Sequence, residues 1–365
     1  QIGMLPLIIY FQYEAPAFSF LANVAAVPLA TCAFTLAFLL IFLPYTVFHE
    51  AISWMIQGVL WISRQSYGML TIGHVPFLWV LLFYFMTGLW IWKKNGQNRH
   101  IRISLAYVIM IILIWIPMAR RKSLAFLDVG QGDCFVADTK SGAIIFDGGS
   151  SSEDQVGRYR ILPYMKYLGY QKIQIAVISH MDIDHYSGIR ELLEMGKIKY
   201  LGLPEIPKDE TMKKIIGIAK KRGTTIFYLS RGRQITTKDG SLKVLHPQKN
   251  SQMEKNAASL VMQGKILGYR VLLTGDVEKE GEEELLSEEL ERADILKAAH
   301  HGSKNSTSNE FLQKVQPKQT VISCGKQNRY GHPHLETIHR LQTYRTKIYR
   351  TDRSGAIIFF KRRDG

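Results

Sequence analysis

The sequence predicts an α-helical transmembrane segment followed by an α/β domain, an αββα sandwich or another α/β layer fold, and three observations carry that prediction. Residues 1–122 hold only two acidic side chains, Glu14 and Glu50, against eight Lys or Arg, and their charge-free runs reach membrane-spanning length. From Ser123 onward charges recur every few residues and apolar runs shrink to strand length. Several of those strands stop on His or Asp. The compositional boundary at Arg120-Arg121-Lys122 divides the chain into a membrane-embedded segment, residues 1–122, and a soluble domain, residues 123–365.

The chain opens without the basic region of a signal peptide, and residues 1–11 read as a helix entered partway, as in a piece of a longer membrane protein. A bilayer core needs about 20 mostly apolar helical residues. Residues 21–48 and 75–92 carry no charge, and residues 103–118 are charge-free but slightly short. Asn23 and Pro28 sit within the first span, where a polar residue faces other helices or a water-filled path. Trp79, Trp90, Trp92 and Trp115 fall near span ends, where amphipathic rings favour the headgroup layer. Residues 51–65, with Trp54, Ile56, Leu60 and Trp61, read as an interfacial helix, and residues 12–19 read the same way. The loop over residues 93–102 carries four fixed positive charges and is assigned to the cytoplasmic side, which sends the soluble domain to the outer face. Arg120, Arg121 and Lys122 at the far end oppose that bias with three.

The three cysteines form no disulfide framework and no Cys-type metal cluster. Cys32 lies in an apolar run. Cys134 and Cys324 fall in or beside strands and read as small buried residues, with a single Cys134–Cys324 bridge left open.

In the soluble half, strands are expected at residues 124–129, 134–139, 143–146, 173–179, 225–229, 242–245, 260–263, 270–274, 295–298 and 321–324. Helices are expected at residues 158–168, 188–195, 210–221, 279–292, 308–315 and 334–344. Strands with helices between them fit an α/β layer fold. Five strands end on polar residues able to bind metal: Asp147-Gly148-Gly149, then His180-Met181-Asp182-Ile183-Asp184-His185, then Asp276, then His300-His301-Gly302-Ser303, then Tyr330-Gly331-His332-Pro333-His334. If these strands share a sheet edge, the loops converge on one site. Four potential ligands stand within six residues from His180 to His185. Imidazole and carboxylate suit Zn²⁺, Mn²⁺ or Fe²⁺, and the lack of thiolate argues against a structural zinc. Alone, that string also reads as a polar loop capping the next helix; with Asp276 and His300 at other strand ends, the metal reading prevails.

Taken in order, these motifs resemble the metallo-β-lactamase superfamily. The strings Leu127-Asp128-Val129-Gly130-Gln131-Gly132-Asp133, His180-Met181-Asp182-Ile183-Asp184-His185, Asn256-Ala257-Ala258-Ser259-Leu260-Val261, Leu273-Thr274-Gly275-Asp276, His300-His301-Gly302-Ser303 and Tyr330-Gly331-His332-Pro333 are similar to those of the ComEC family, membrane channel proteins of bacterial DNA uptake. The resemblance covers nearly all of residues 123–365, and Asn23-Val24-Ala25-Ala26-Val27-Pro28-Leu29 resembles part of the family's competence domain. It implies a metallo-β-lactamase fold and an absent amino-terminal part of the same protein. It also implies a divalent metal site, two ions of Mn or Zn, held by His180, Asp182, Asp184, His185, Asp276 and His300. Asp276 would bridge the ions and Asp147 would support the ligand loop. Two departures stand out: Asp182 occupies a position where many members have His, and the usual third His is missing, since His246 is the sole His between His185 and His300. Carboxylate for imidazole shifts preference toward harder ions such as Mn²⁺.

The implied reaction is hydrolysis of DNA phosphodiesters, degrading the strand that is not imported. Asp184 would orient the nucleophile. His301, Ser303, His332 and His334 are candidates for holding phosphate oxygens or protonating the departing group. His301 has the strongest case because it adjoins His300, and His334 reads equally as the residue that opens the next helix. Implied partners are DNA, membrane lipid and other DNA-uptake proteins. From Ser123 onward 38 Lys or Arg face 29 Asp or Glu, a spread-out excess that gives only modest support for a polyanion. Lys213-Lys214 and Lys220-Lys221-Arg222 read as solvated helix faces. Two other readings remain: a channel whose hydrolase-like domain only binds DNA, and a membrane-tethered hydrolase of another phosphoester or a lactone.

Overall fold

In the computed structural model the described residues are 2–16, 19–42, 46–64, 68–92, 104, 108, 121–288 and 290–362. They fall into two units, Gln1–Met118 and Ala119–Gly365, each taken here by itself.

The first unit contains α1 (Leu5–Gln12), β1 (Glu14–Pro16), α2 (Ser19–Leu39), α3 (Thr46–Arg64), β2 (Met69–Thr71) and α4 (Phe77–Trp92). Within α2, Ala22–Leu39 is long and apolar enough to cross a membrane, and Val24, Val27, Phe34 and Phe38 are exposed along it. Pro28 lies inside this helix. The charge-free run over residues 21–48 is therefore divided, with α2 ending at Leu39 and α3 beginning at Thr46. The shorter α4 packs Phe83 with Ile9, Ala15 and Val75, and Trp79 and Met86 lie against the same cluster. In α3, Trp54 and Trp61 are exposed.

The expectation for residues 12–19 is corrected. Tyr13 ends α1 in the left-handed conformation, and Glu14–Pro16 pairs antiparallel with Met69–Thr71. The cause is local, because the residue before a proline is biased away from helix, and Ala15 precedes Pro16. The charged loop over residues 93–102 lies outside the described residues. So does the third apolar run over residues 103–118, apart from 104 and 108.

The second unit contains β3 (Ser123–Phe126), β4 (Phe135–Thr139), β5 (Gly142–Phe146), a π-helical turn (Gly157–Ile161), α5 (Leu162–Tyr167), β6 (Ile173–Val177), α6 (Ile183–Glu194), β7 (Ile198–Pro204), α7 (Glu210–Lys221), β8 (Thr225–Leu229), β9 (Gln234–Thr237), β10 (Gly240–His246), β11 (Val261–Ile266), β12 (Tyr269–Leu273), α8 (Lys279–Leu286), β13 (Ile295–Lys297), a 3-10 turn (Ala299–Gly302), α9 (Asn309–Val315), β14 (Gln319–Ile322), α10 (Leu335–Thr343), β15 (Lys347–Arg350), α11 (Thr351–Ser354) and β16 (Ile357–Phe360). One seven-stranded sheet runs β16-β3-β4-β5-β6-β7-β8 and the other β15-β14-β13-β12-β11-β10-β9.

Side-chain alternation builds the layers. In β3 and β5, Leu124, Phe126, Ile144 and Phe146 enter the core between the sheets, while Ala125, Ala143 and Ile145 join α5, α6 and α7 on the outer face. Across the gap, Val271, Leu273, Ile295 and Val321 fill the central core. Leu272, Leu296 and Ile322 face α9 and α10. Strands buried on both faces read as continuous apolar runs, as these do. The result is an αββα sandwich.

The helix expected over residues 279–292 stops at Leu286, and the strand expected over 260–263 extends to Ile266. Four strands of this unit were not foreseen. β7, β9 and β15 carry Lys, Gln or Arg among their apolar residues, and β16 is an edge strand that alternates buried Ile357 and Phe359 with exposed Ile358 and Phe360.

Cys134 and Cys324 are buried free thiols, so the open disulfide option is answered. Burial pushes both thiols up, Cys324 to about 12 with Asp352 adding to the effect. Neither should react with a thiol reagent at neutral pH in the folded chain, and both should react once it is denatured. Mass-spectrometric mapping of the adducts checks this, and native labelling of either residue would contradict it.

Candidate metal centre

Sheet topology brings the polar loops to one edge. β5 and β6 run parallel, so Asp147 and Ser179-His180 leave the first sheet on the same side. β12 and β13 run parallel in the second sheet, delivering Asp276 and His300-His301. β4 is antiparallel to β5, so Asp133, which precedes β4, reaches that edge from the opposite chain direction.

Three imidazoles are each held through Nδ1 and present Nε2 to the centre. His185 Nδ1 lies 3.0 Å from Asp147 Oδ2, while Asp147 Oδ1 accepts the Ser179 amide at 2.7 Å. His301 Nδ1 donates to the Ser323 carbonyl at 3.0 Å. His180 Nδ1 contacts the hydroxyls of Ser179 and Ser259 at 3.0 and 3.2 Å. The Nε2 atoms of all three are buried and make no well-formed hydrogen bond, and the same holds for Asp133 Oδ1, while Asp133 Oδ2 faces the Lys297 ammonium. Fixing one ring nitrogen orients the other toward a metal.

The Nε2 atoms meet carboxylates. Asp276 Oδ2 lies 3.1 Å from His185 Nε2 and 3.3 Å from His301 Nε2, and Asp184 Oδ2 lies 3.3 Å from His301 Nε2. Asp133, His185, Asp276 and His301 each offer one donor atom, all within 4.8 Å of one another. This nitrogen–oxygen set without thiolate fits a divalent ion of the Zn²⁺ or Mn²⁺ kind. The local field is negative. Burial alone would lower the His301 imidazole, but Asp276 and Asp133 outweigh it and push His301 up to about 10. Burial alone would raise Asp184, yet the His301 contact and the nearby imidazoles hold it at about 2.

The remaining residues differ in placement. Asp182 Oδ2 is 3.6 Å from His180 Nε2, on an open flank where Lys255 approaches at 3.5 Å. Ser259 touches His180 and accepts the Asp276 amide at 3.3 Å, beside the open flank. His246 plays no part in the centre, because its ring is held between the Ala257 carbonyl and Glu284, each at 2.7 Å. His300 stands at the rim, 3.8 Å from Asp276 and 2.8 Å from Glu278, while His301 takes the inner place. Both residues have positive φ, a tight turn that sends the second ring inward. His332 lies 5.4 Å from the His300 ring, with His334 5.0 Å beyond it. Ser303 closes its own turn, its Oγ accepting the Asn305 amide at 3.3 Å.

Sequence reasoning missed two functional candidates. Asp133 was quoted only within a motif, because it precedes its strand instead of following one. Lys297 is buried, ion-paired with Asp133, 3.5 Å from Asp276 Oδ1, and donates to the Gly275 carbonyl at 2.8 Å. Its signal was a lone charge inside the apolar run Ile295-Leu296-Lys297-Ala298-Ala299.

Close backbone approach holds the ligand loops. A Cβ on Gly149 would stand 2.5 Å from the Ile183 carbonyl and 2.6 Å from the His185 amide. Gly149→Ala should therefore displace the Asp184–His185 backbone and cost about 1–3 kcal/mol, as overpacking does. Thermal melting and metal content should both fall; an unchanged melt with full metal loading would contradict the packing argument.

A family model described as the metallo-beta-lactamase superfamily matches residues 127–326. The chain belongs to this superfamily. Among curated relatives it is 31% identical to ComE operon protein 3 of Bacillus subtilis over all of this chain and 51% of that protein. It is 30% identical to competence protein ComA of Neisseria gonorrhoeae over 65% of this chain and 32% of that protein. These relatives bear out the ComEC-family resemblance read from the motifs. The chain spans about half the length of the first and a third of the second. The crystal structure of the metallo-beta-lactamase fold protein YhfI from Bacillus subtilis aligns at 13% identity, covering 65% of this chain and 99% of that one with a TM-score of 0.45.

Proposed function

We propose that this metallo-β-lactamase-superfamily chain is part of a membrane DNA-uptake protein whose αββα domain hydrolyses DNA phosphodiesters on the outer face, degrading the strand that is not imported. The observation that carries the hydrolytic part is the pair of imidazoles, His185 and His301, clamped at Nδ1 with their Nε2 atoms converging on Asp276, with Asp133 in the same cluster. The names of the relatives supply the competence context. Asp133, His185, Asp276 and His301 would hold the tighter ion. His180 and Asp182, with Asp184 between the two groups in sequence, would serve a second, weaker position. Divalent ions there supply activation of water near neutral pH and offset of phosphoryl charge.

The chain's own residues do the rest. Asp184 stays ionised and is more open than Asp276 or Asp133, so it can accept a proton-bearing oxygen and orient it. His332 is held at about 4 by burial and the neighbouring imidazoles, which keeps its ring neutral and able to donate one hydrogen bond to a phosphate oxygen. His334 opens α10, its amide donating to the Gly302 carbonyl at 3.0 Å, so its first task is structural.

One observation favours the reading in which the domain only binds DNA: the flank at His180 has Ser259 and a Lys255-paired Asp182 where further nitrogen donors would strengthen a site. The two readings separate when the whole chain in detergent is stripped with chelator and returned to Mn²⁺ or Zn²⁺ with end-labelled DNA. Cleavage that returns with metal is expected. Metal and DNA binding without cleavage would leave only the second reading.

A further inference from the structure

The loop following β14 carries an exposed aromatic ring at the rim of the centre. His301, His332 and Tyr330 form a series of near-parallel rings running outward from it. The His301 and His332 centroids are 6.1 Å apart with planes inclined by 29°, and those of His332 and Tyr330 are 5.7 Å apart and inclined by 20°. Exposure rises along the series from 1% at His301 to 43% at Tyr330. The Arg329 guanidinium lies 4.8 Å from the Tyr330 ring centroid and donates to its hydroxyl at 2.6 Å. Lys326 is exposed in the same loop.

This loop is pinned. The Asn328 side-chain amide donates to the Gly325 and His332 carbonyls at 3.0 and 2.6 Å, and its oxygen accepts the Tyr330 and His332 amides at 3.2 and 2.9 Å. One exposed tyrosine on a surface is ordinary. Here the ring is fixed by its loop, aligned with imidazoles that end on the centre's carboxylates, and accompanied by a cation.

We propose that Tyr330, with Arg329, forms a stacking platform for an unpaired base of single-stranded DNA beside the phosphate presented to the centre. The proposal rests on the DNA reading above and adds the form of the substrate. Every base has a π face that stacks on a phenol ring or a guanidinium plane, so the platform is tolerant of sequence. In a duplex those faces are already stacked on neighbouring bases, so the platform favours a strand that is single or frayed.

The test compares two single strands on the whole chain in detergent with Mn²⁺. One is an oligonucleotide with all its bases, and the other carries a run of abasic tetrahydrofuran residues. The wild type should show a KM about tenfold lower for the strand with bases, in line with one base–aromatic stack. Tyr330→Ala should erase that ratio and Tyr330→Trp should keep it. The same comparison read as Kd by fluorescence anisotropy without added metal should give the same ordering, so the platform is tested even if no strand is cut. A Tyr330→Ala variant that keeps the ratio, or a wild type that binds both strands equally, overturns the platform and leaves the nuclease reading intact. Base-dependent binding without metal-dependent cleavage supports the platform and overturns the nuclease reading.

Discussion

Lys297→Met should destabilise the metal-free chain by about 3–5 kcal/mol, the cost of breaking a buried ion pair from one side. Lys297 is 5% exposed at its side chain and its ammonium compensates Asp133 and Asp276 together. Removing it leaves two carboxylates facing each other in a dry site, with His185 and His301 as the remaining counter-charges. A divalent ion would replace that compensation, so added Mn²⁺ should recover more stability in the variant than in the wild type. Thermal melts with and without Mn²⁺ check both halves. Equal melting of variant and wild type in the absence of metal would show that Lys297 does not hold the cluster.

Asp276→Asn should lower metal affinity by at least about 100-fold, since even partners of metal ligands typically contribute 10–100-fold. Asp276 Oδ2 is the oxygen shared by His185 and His301, and His300 approaches the same atom at 3.8 Å. The substitution keeps shape and removes charge, so loss of metal can be told apart from loss of fold. Equilibrium dialysis with Mn²⁺ or Zn²⁺, alongside circular dichroism, reads the two separately. Full metal retention by Asp276→Asn would remove Asp276 from the centre.

The local part of the site was legible because its chemistry is compressed into six residues: His180 and Asp182 lie between β6 and α6, and Asp184 and His185 stand in the first turn of α6. The pairing of Asp147 with that loop was legible for a similar reason, since β5 and β6 are parallel neighbours. Choosing between His300 and His301 was not. They are adjacent in sequence, and the inward place depends on left-handed backbone at both residues, which no periodicity announces. Asp133 was obscured by chain direction. A rule that looks for ligands after strands misses one that precedes an antiparallel strand. Lys297 was obscured by the habit of placing lysine outside, although its apolar neighbours marked it.

The same contrast holds for the fold. Runs such as those of β5, β6, β12 and β13 announced themselves because both faces are buried. The edge strands β9 and β16 did not, because polar or exposed positions interrupt their patterns. In the amino-terminal unit, one Ala-Pro step was enough to turn an expected interfacial helix into a strand.

The central claim is that this buried centre cuts DNA with a bound metal, and Asp184→Asn tests it most directly when metal content and cleavage are read from the same sample. Asp184 touches the centre through His301 alone among the four clustered donors' side chains and is more open than Asp133 or Asp276. The account predicts that wild type binds Mn²⁺ and cleaves labelled single-stranded DNA, and that Asp184→Asn cleaves about 100-fold or more slowly, the scale of a lost general base, while its fold is kept. Cleavage by Asp184→Asn at the wild-type rate, or a wild type loaded with metal that leaves DNA intact, would contradict it.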